Sequence, residues 1–232
     1  MAEEPLFRKH DRYKASSYRA YNFKFPTQYD SSFWMTFCQM PLADRTVVEA
    51  LGPDIGSLTI LDVGCATGRL LRKLASAGAR RLAGTDLAPR ILDVAREKLA
   101  EAHADVELRP ADAEDSLPWP AESFDVVTLT GVLHHFYRPH DALREIRRVL
   151  RPRGRMLLMG VCLFPPVRQL VNLYTRVVPH WGDYRFYSKK AASKLMQRAG
   201  FRCVQARRVG WSLYFITAVK ADDSFGRSVT AC

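Results

Sequence analysis

Leu61-Asp62-Val63-Gly64-Cys65-Ala66-Thr67-Gly68 runs an apolar strand straight into a turn of small residues, and Leu70, Leu71 and Leu74 then follow at helical spacing. With Ile60, the residues Leu61 and Val63 read as a buried strand. Gly64, Ala66 and Gly68 let the backbone bend tightly and allow a bulky ligand to approach the main chain. The free N–H groups at the start of the next helix favour negative charge or an acceptor-rich ligand edge above the turn. A strand-turn-helix of this kind is either the first unit of a nucleotide-like cofactor pocket or a plain connection with no ligand.

A dinucleotide turn needs G-x-G-x-x-G so that a pyrophosphate can lie against the helix. Here those positions are Gly64, Ala66 and Arg69, and two of the three glycines are missing. Working outward, Arg81-Leu82-Ala83-Gly84-Thr85-Asp86 reads as a second strand ending in an acid. That is where a parallel sheet places a carboxylate for a ribose diol, and equally where an Asp would cap the helix opened by Leu87-Ala88-Pro89. A third strand, Val106 to Pro110, delivers Ala111-Asp112-Ala113 to the same sheet edge; because Glu114 and Asp115 follow, a solvated acidic loop is the alternative. The fourth block is a proline-punctuated loop from Leu117 that feeds a strand through Asp125 to Thr130 and runs on as Gly131-Val132-Leu133-His134-His135-Phe136.

These four blocks, in this order, resemble the class I S-adenosylmethionine-dependent methyltransferases, with Ala66 in place of the middle glycine of the acidic-x-Gly-x-Gly-x-Gly motif. The ubiquinone and menaquinone methyltransferases are the nearest broad comparison. The resemblance implies S-adenosylmethionine as cofactor, S-adenosylhomocysteine (SAH) as product, and a cofactor set of Asp62, Gly64, Cys65, Ala66, Gly68, Asp86, Leu87, Asp112, Ala113, Thr130 and Gly131. Within it, Asp112 would accept from the adenine amine and the Ala113 N–H would meet a ring nitrogen. Thr130 and Gly131, with Gly64, would lie on the methionine side.

The architecture expected is α/β, a Rossmann-like doubly wound sheet of seven strands, mostly parallel with an antiparallel final strand, plus an N-terminal helical lid. Helical patterns cover Arg69 to Ala77, Pro89 to Glu101, Asp141 to Leu150 and Ser188 to Ala199. A fifth strand spans Arg155 to Gly160 after an Arg151-Pro152-Arg153-Gly154 turn, and Phe201 to Arg208 and Trp211 to Lys220 read as two closing strands. Residues 1–50 form the lid segment, 51–220 the catalytic domain with an acceptor-side insertion at about 161–187, and 221–232 a tail.

The lid carries Tyr18, Tyr21, Phe23, Phe25, Tyr29, Phe33, Trp34 and Phe37, more aromatic residues than a disordered segment holds. Most would pack lid helices on the sheet; in similar methyltransferases a Tyr-Asp pair, here Tyr29-Asp30, closes over cofactor and acceptor. The insertion, rich in aromatic and apolar residues, suits a flat organic acceptor, core packing or a homodimer contact.

At 232 residues the chain can bury one sizeable core. Met1-Ala2-Glu3-Glu4-Pro5 has acids where a secretory peptide needs bases, and no apolar run approaches the ~18 residues of a membrane span. Five cysteines without close pairs suggest a reducing cytoplasm and neither disulfides nor zinc. The net charge of +11 raises nucleic acid as a partner, but the bases are spread among acids and lack a dense cluster beside aromatics. The acceptor expected is therefore a small organic molecule, with an RNA methyltransferase or a non-catalytic S-adenosylmethionine-binding protein as alternatives.

Methyl transfer from a sulfonium is an in-line displacement in which positioning does much of the work. A histidine near neutrality would assist acceptors that lose a proton, and His134 or His135 at the mouth of the fourth strand is the base candidate, with His180 and Tyr187 behind. Either ring could instead pack or cap a turn. No third His, Cys or carboxylate stands at ligand spacing in the chain around the pair, so no metal is expected.

Overall fold

The computed structural model describes residues 12–24, 26, 28–31, 39–178 and 182–221. Phe25, Phe33, Trp34, Phe37 and His180 lie outside the described residues.

Seven strands form one sheet: β1 (Thr59–Val63), β2 (Arg81–Asp86), β3 (Val106–Pro110), β4 (Phe124–Thr130), β5 (Leu150–Val161), β6 (Phe201–Val209) and β7 (Leu213–Lys220). Their order is β3-β2-β1-β4-β5-β7-β6. The first five pair in parallel, and β7 runs antiparallel to both neighbours. The chain moves from β1 outward to β3 and then crosses back to place β4 on the other side of β1. That reversal opens a crevice at the carboxyl ends of β1 and β4, where open α/β sheets bind ligands.

Period-two side-chain alternation divides the core between the two faces. Ile60, Val126, Leu157 and Phe215 turn to one face, and Leu61, Val127, Leu158 and Tyr214 to the other; all are buried. The first face is covered by α2 (Met40–Leu51), α3 (Arg69–Ser76) and α4 (Pro89–Glu101), using Val47, Leu70, Leu71, Leu74 and Leu92. The second is covered by α5 (Pro139–Val149) and α7 (Lys189–Arg198), through Leu143, Ile146 and Met196. Ser188 caps α7 by accepting the Ala191 N–H at 3.2 Å, as its hydroxyl chemistry favours.

Three boundaries differ from expectation by two residues or more, among them the last strand, which begins at Leu213 and not Trp211. The fifth strand begins at Leu150, not Arg155, because Leu150 already pairs with Phe124. The Pro-Gly stretch is absorbed as an irregularity, with a register shift between Phe124 and Val126 and a left-handed Arg153 (φ 62°). The helix after the fourth strand starts at Pro139, whose fixed φ suits a first helical turn.

The lid segment contains α1 (Arg12–Arg19), a π turn (Ala20–Lys24) and a 3-10 turn (Tyr29–Ser31). It is tied to the body by side chains. Asn22 Oδ1 accepts the Arg90 N–H at 2.9 Å and so supplies α4 with the cap that Ala88 cannot give. The segment between β5 and α7 holds α6 (Pro165–Val177), which leaves Leu170, Leu173 and Val177 exposed. No helix among the described residues is long and apolar enough to cross a membrane.

Candidate active site

The crevice at the β1/β4 crossover is a pocket of about 710 Å³ counted out to its open mouth. Its floor begins at the turn after β1. The Gly64 and Cys65 N–H groups both reach the Thr85 carbonyl, at 2.8 and 2.9 Å, which closes the turn against β2. Gly64 has φ +71°, and a Cβ there would lie 2.4 Å from Val132 Cγ2; only glycine lets the first turn and the end of the fourth strand come this close. Ala66 adopts the same left-handed region at φ 48°, a conformation that a glycine would take with less strain.

Asp86 occupies the end of β2. Its Oδ2 accepts the Ala66 N–H at 3.1 Å and its Oδ1 the Ala88 N–H at 3.0 Å. The carboxylate therefore ties the loop before α4 to the first turn and lines the pocket, while the helix itself takes its cap from Asn22. Burial raises its pKa, and the hydrogen bonds from Ala88 and Ala66 oppose that shift. At the end of β3, Asp112 Oδ1 accepts the Glu114 N–H at 2.9 Å. Its Oδ2 pairs with the ammonium of Lys14, which reaches in from α1 and also meets Glu114 at 3.0 Å. Asp112 and Glu114 are thus part of a buried charge cluster, and the solvated acidic loop is set aside.

Of the expected cofactor residues, Gly64, Ala66, Asp86, Leu87, Asp112, Ala113 and Gly131 line the pocket. Asp62, Cys65, Gly68 and Thr130 are not on its wall. Asp62 sits beneath the turn, 3% exposed, where Thr128 donates its hydroxyl at 2.7 Å. Burial pushes its carboxyl up to about 7, against the Thr128 hydrogen bond. Gly68 instead packs its left-handed backbone against Leu99 and Ala95 of α4.

The sequence reading missed Lys14, Ser17, Thr85 and Glu114 as wall residues. Only the third-strand acids hinted that a buried cation was needed. The lid aromatics divide as their burial dictates. Tyr21 and Tyr29 line the pocket, Tyr18 packs in the core, and Phe23 is 59% exposed. Asp30 does not reach the wall: its carboxylate accepts from Thr67 Oγ1 at 2.7 Å and Lys98 Nζ at 2.6 Å, which pins the lid to the first turn.

The two histidines separate. His135 lines the pocket, with Nε2 3.3 Å from the Tyr21 hydroxyl and the two rings edge to face. His134 is stacked on Phe186 with centroids 4.7 Å apart, and burial holds its pKa well below the usual imidazole range. Burial likewise holds the Tyr21 phenol well above its usual value, so it stays protonated. Tyr187, the second-line candidate, is 8% exposed and packs in the core.

The insertion at 161–187 contributes no described residue to the pocket wall. It approaches through one loop. The Tyr184 and Arg185 N–H groups both bond the His134 carbonyl, at 2.8 and 3.0 Å, and carry Asp183 to the histidine pair. Asp183 Oδ1 lies 3.5 Å from His134 Nε2 and 3.3 Å from His135 Nδ1. The expectation that no third metal-type side chain accompanies the pair is corrected, because a contact this distant in the chain leaves no spacing signal.

Residues 61–158 match the family model described as "Methyltransferase domain". Among curated relatives, a tRNA U34 carboxymethyltransferase of Shewanella sp. is 40% identical over 106 residues, covering 45% of this chain and 31% of that protein. A ubiquinone biosynthesis O-methyltransferase of Xanthomonas oryzae pv. oryzae is 35% identical over 139 residues, covering 56% of this chain and 58% of that one. The chain thus matches only part of the length of these relatives. Among solved structures, magnesium protoporphyrin IX methyltransferase of Synechocystis PCC 6803 with bound SAH superposes with a TM-score of 0.71 at 19% identity, over 90% of this chain and 100% of that one. At that identity the likeness is one of fold.

Proposed function

We propose that the chain is a class I, S-adenosylmethionine-dependent methyltransferase, as its match to the methyltransferase domain supports, and that it transfers a methyl group to a small organic acceptor seated beside His135. The observation that carries this reading is the order of side chains along one pocket. Asp112, Asp86, Gly64 and Gly131 follow the strand order β3, β2, β1, β4, and His135 continues from the β4 end.

The pocket fits the family's cofactor on two counts. Gly64 leaves a cradle that a Cβ would fill, and the buried hydroxyl of Thr85 on the wall has no hydrogen-bond partner. Asp86 would accept from the ribose hydroxyls, Asp112 from the adenine amine, and the Ala113 N–H would face a ring nitrogen. Gly64 and Gly131 would admit the methionine part. S-adenosylmethionine, when bound, supplies an electrophilic methyl group on a sulfonium.

The chain's own part is positioning and proton handling. Tyr21, Val132 and Phe136 line the same wall as the His135 imidazole, which suits an aromatic or apolar acceptor. An acceptor hydroxyl or activated ring carbon would give its proton to His135 Nε2. Tyr21 would hold the imidazole plane through its 3.3 Å contact at that nitrogen until the acceptor enters. His134, stacked and off the wall, would support this geometry without touching the acceptor.

RNA is the second reading, favoured by the tRNA-modifying relative and by the charge of +11. Much of the central basic run is spent internally, however: Arg148 bonds Glu145 and the Leu117 and Trp119 carbonyls, Arg151 pairs with Asp125, and Arg138 with Asp115. The test is SAH formation from S-adenosylmethionine with a panel of hydroxylated aromatic compounds and, separately, with tRNA. Turnover of a small acceptor that changes little with salt supports the proposal. SAH formed only with RNA, and falling steeply with salt, would replace it by the second reading.

A further inference from the structure

We propose that His134, His135 and Asp183 form a binding site for one divalent transition-metal ion of the Zn²⁺ class. The three ligand atoms all lie within 4.8 Å of one another. The two separations from Asp183 Oδ1, 3.5 Å to His134 Nε2 and 3.3 Å to His135 Nδ1, exceed the ~2.9 Å usual for a hydrogen bond between such groups. They do match the edges of a tetrahedron: ligand atoms bound at roughly 2.0–2.2 Å stand about 3.3–3.6 Å apart.

A second observation points to the same place. His135 Nδ1 is buried and, although 3.3 Å from Asp183 Oδ1, makes no hydrogen bond, a state that buried polar atoms seldom tolerate. An ion between it and the Asp183 carboxylate gives that nitrogen its partner.

The ligands are held before any ion arrives. The paired N–H groups of Tyr184 and Arg185 on the His134 carbonyl fix the Asp183 loop to the histidine turn. Phe186 stacks flat on His134, at 16° between planes. Gly182, at φ +82°, lets the loop press on Ser17 of α1, where a Cβ would lie 2.3 Å from the Ser17 Cβ. This spacing therefore draws on α1, the turn after β4 and the insertion together.

Two imidazoles and one carboxylate suit Zn²⁺, Co²⁺ or Ni²⁺ and disfavour Mg²⁺ and Ca²⁺, which prefer shells of oxygen. Three protein ligands leave a fourth position for water or another oxygen. With the ion on Nδ1, the remaining ring proton stays on Nε2. The loaded protein then presents His135 to Tyr21 as a donor, so the base role proposed for this ring belongs to the metal-free protein.

Co²⁺ is the probe. The full chain, stripped with a chelator and dialysed, is titrated with Co²⁺ and followed by visible absorption. One equivalent is expected to bind with the intense bands of a four-coordinate ion, and Zn²⁺ should displace it mole for mole. His134→Ala and Asp183→Asn should each weaken Co²⁺ binding at least tenfold, whereas His103→Ala, an exposed histidine elsewhere, should bind as the parent does. The Asn variant keeps the size of the side chain, and a melting curve for each variant checks its fold. In the parent chain, Zn²⁺ should also raise the melting temperature. Absence of saturable binding at one equivalent, or parent-like affinity in folded Asp183→Asn and His134→Ala, would overturn the proposal.

Discussion

Lys14, on the first helix, forms an ion pair with Asp112, at the end of the third strand, and this contact joins the lid segment to the pocket wall. The ammonium is buried, with a side chain 5% exposed, and its second partner Glu114 is 2% exposed. Burial lowers the Lys14 pKa, but the two carboxylates outweigh it and the net shift is upward. The lysine therefore stays charged at neutral pH and balances two acids that would otherwise repel each other.

Lys14→Met should for that reason destabilise the chain by about 3 kcal/mol, the scale for leaving a buried charge without its partner. Amide exchange should rise over 12–24 before it rises in the sheet. Chemical denaturation and hydrogen exchange check this, and an unchanged midpoint would show that the cluster is solvated in solution.

His135→Ala should lower kcat by roughly 10² or more for an acceptor that must lose a proton. SAH affinity should stay within a few-fold, because the ring lies on the acceptor side of the proposed arrangement. His134→Ala should lose less turnover and more stability, since that ring is stacked on Phe186 and not on the wall. Equal turnover in both variants would remove the base from the mechanism.

Asp62 should make stability depend on pH. Its folded-state pKa is pushed up to about 7 by burial, against about 4 in the unfolded chain. Below pH 4 both states hold the proton and the group's contribution is complete. Between pH 4 and 7 only the folded state holds it, so that contribution, on the order of 4 kcal/mol, is lost as pH rises. Asp62→Asn, which can still accept the Thr128 hydroxyl, should raise the melting temperature at pH 8 more than at pH 5. Equal gains at both pH values would contradict the shift.

The sheet was legible because its signals are local. Ile60 to Val63, Arg81 to Asp86 and Val106 to Pro110 are short apolar or β-branched runs closed by Gly, Pro or an acid, and each became a strand within a residue of its expected ends. Arg151 to Gly154 misled because turn-forming residues can also be taken up as a bulge within a long strand. In the site, the glycine and acid positions at strand ends were readable from spacing. Lys14 and Tyr21 reach the crevice, and Asp183 reaches the histidine pair, from distant segments, so no local period announces them. Asp86 shows the remaining difficulty: sequence offered helix capping and ligand binding as its alternatives, and that helix takes its cap from Asn22 on the distant lid.

The central claim is that this crevice holds S-adenosylmethionine with Asp86 on its ribose, and calorimetric titration with SAH tests it most directly. The parent chain should bind one SAH, and Asp86→Ala should bind it about 100-fold more weakly, near 2.7 kcal/mol, for the loss of charge-assisted hydrogen bonds to a diol. Failure of the parent chain to bind SAH, or an affinity in Asp86→Ala equal to the parent's, would contradict the account.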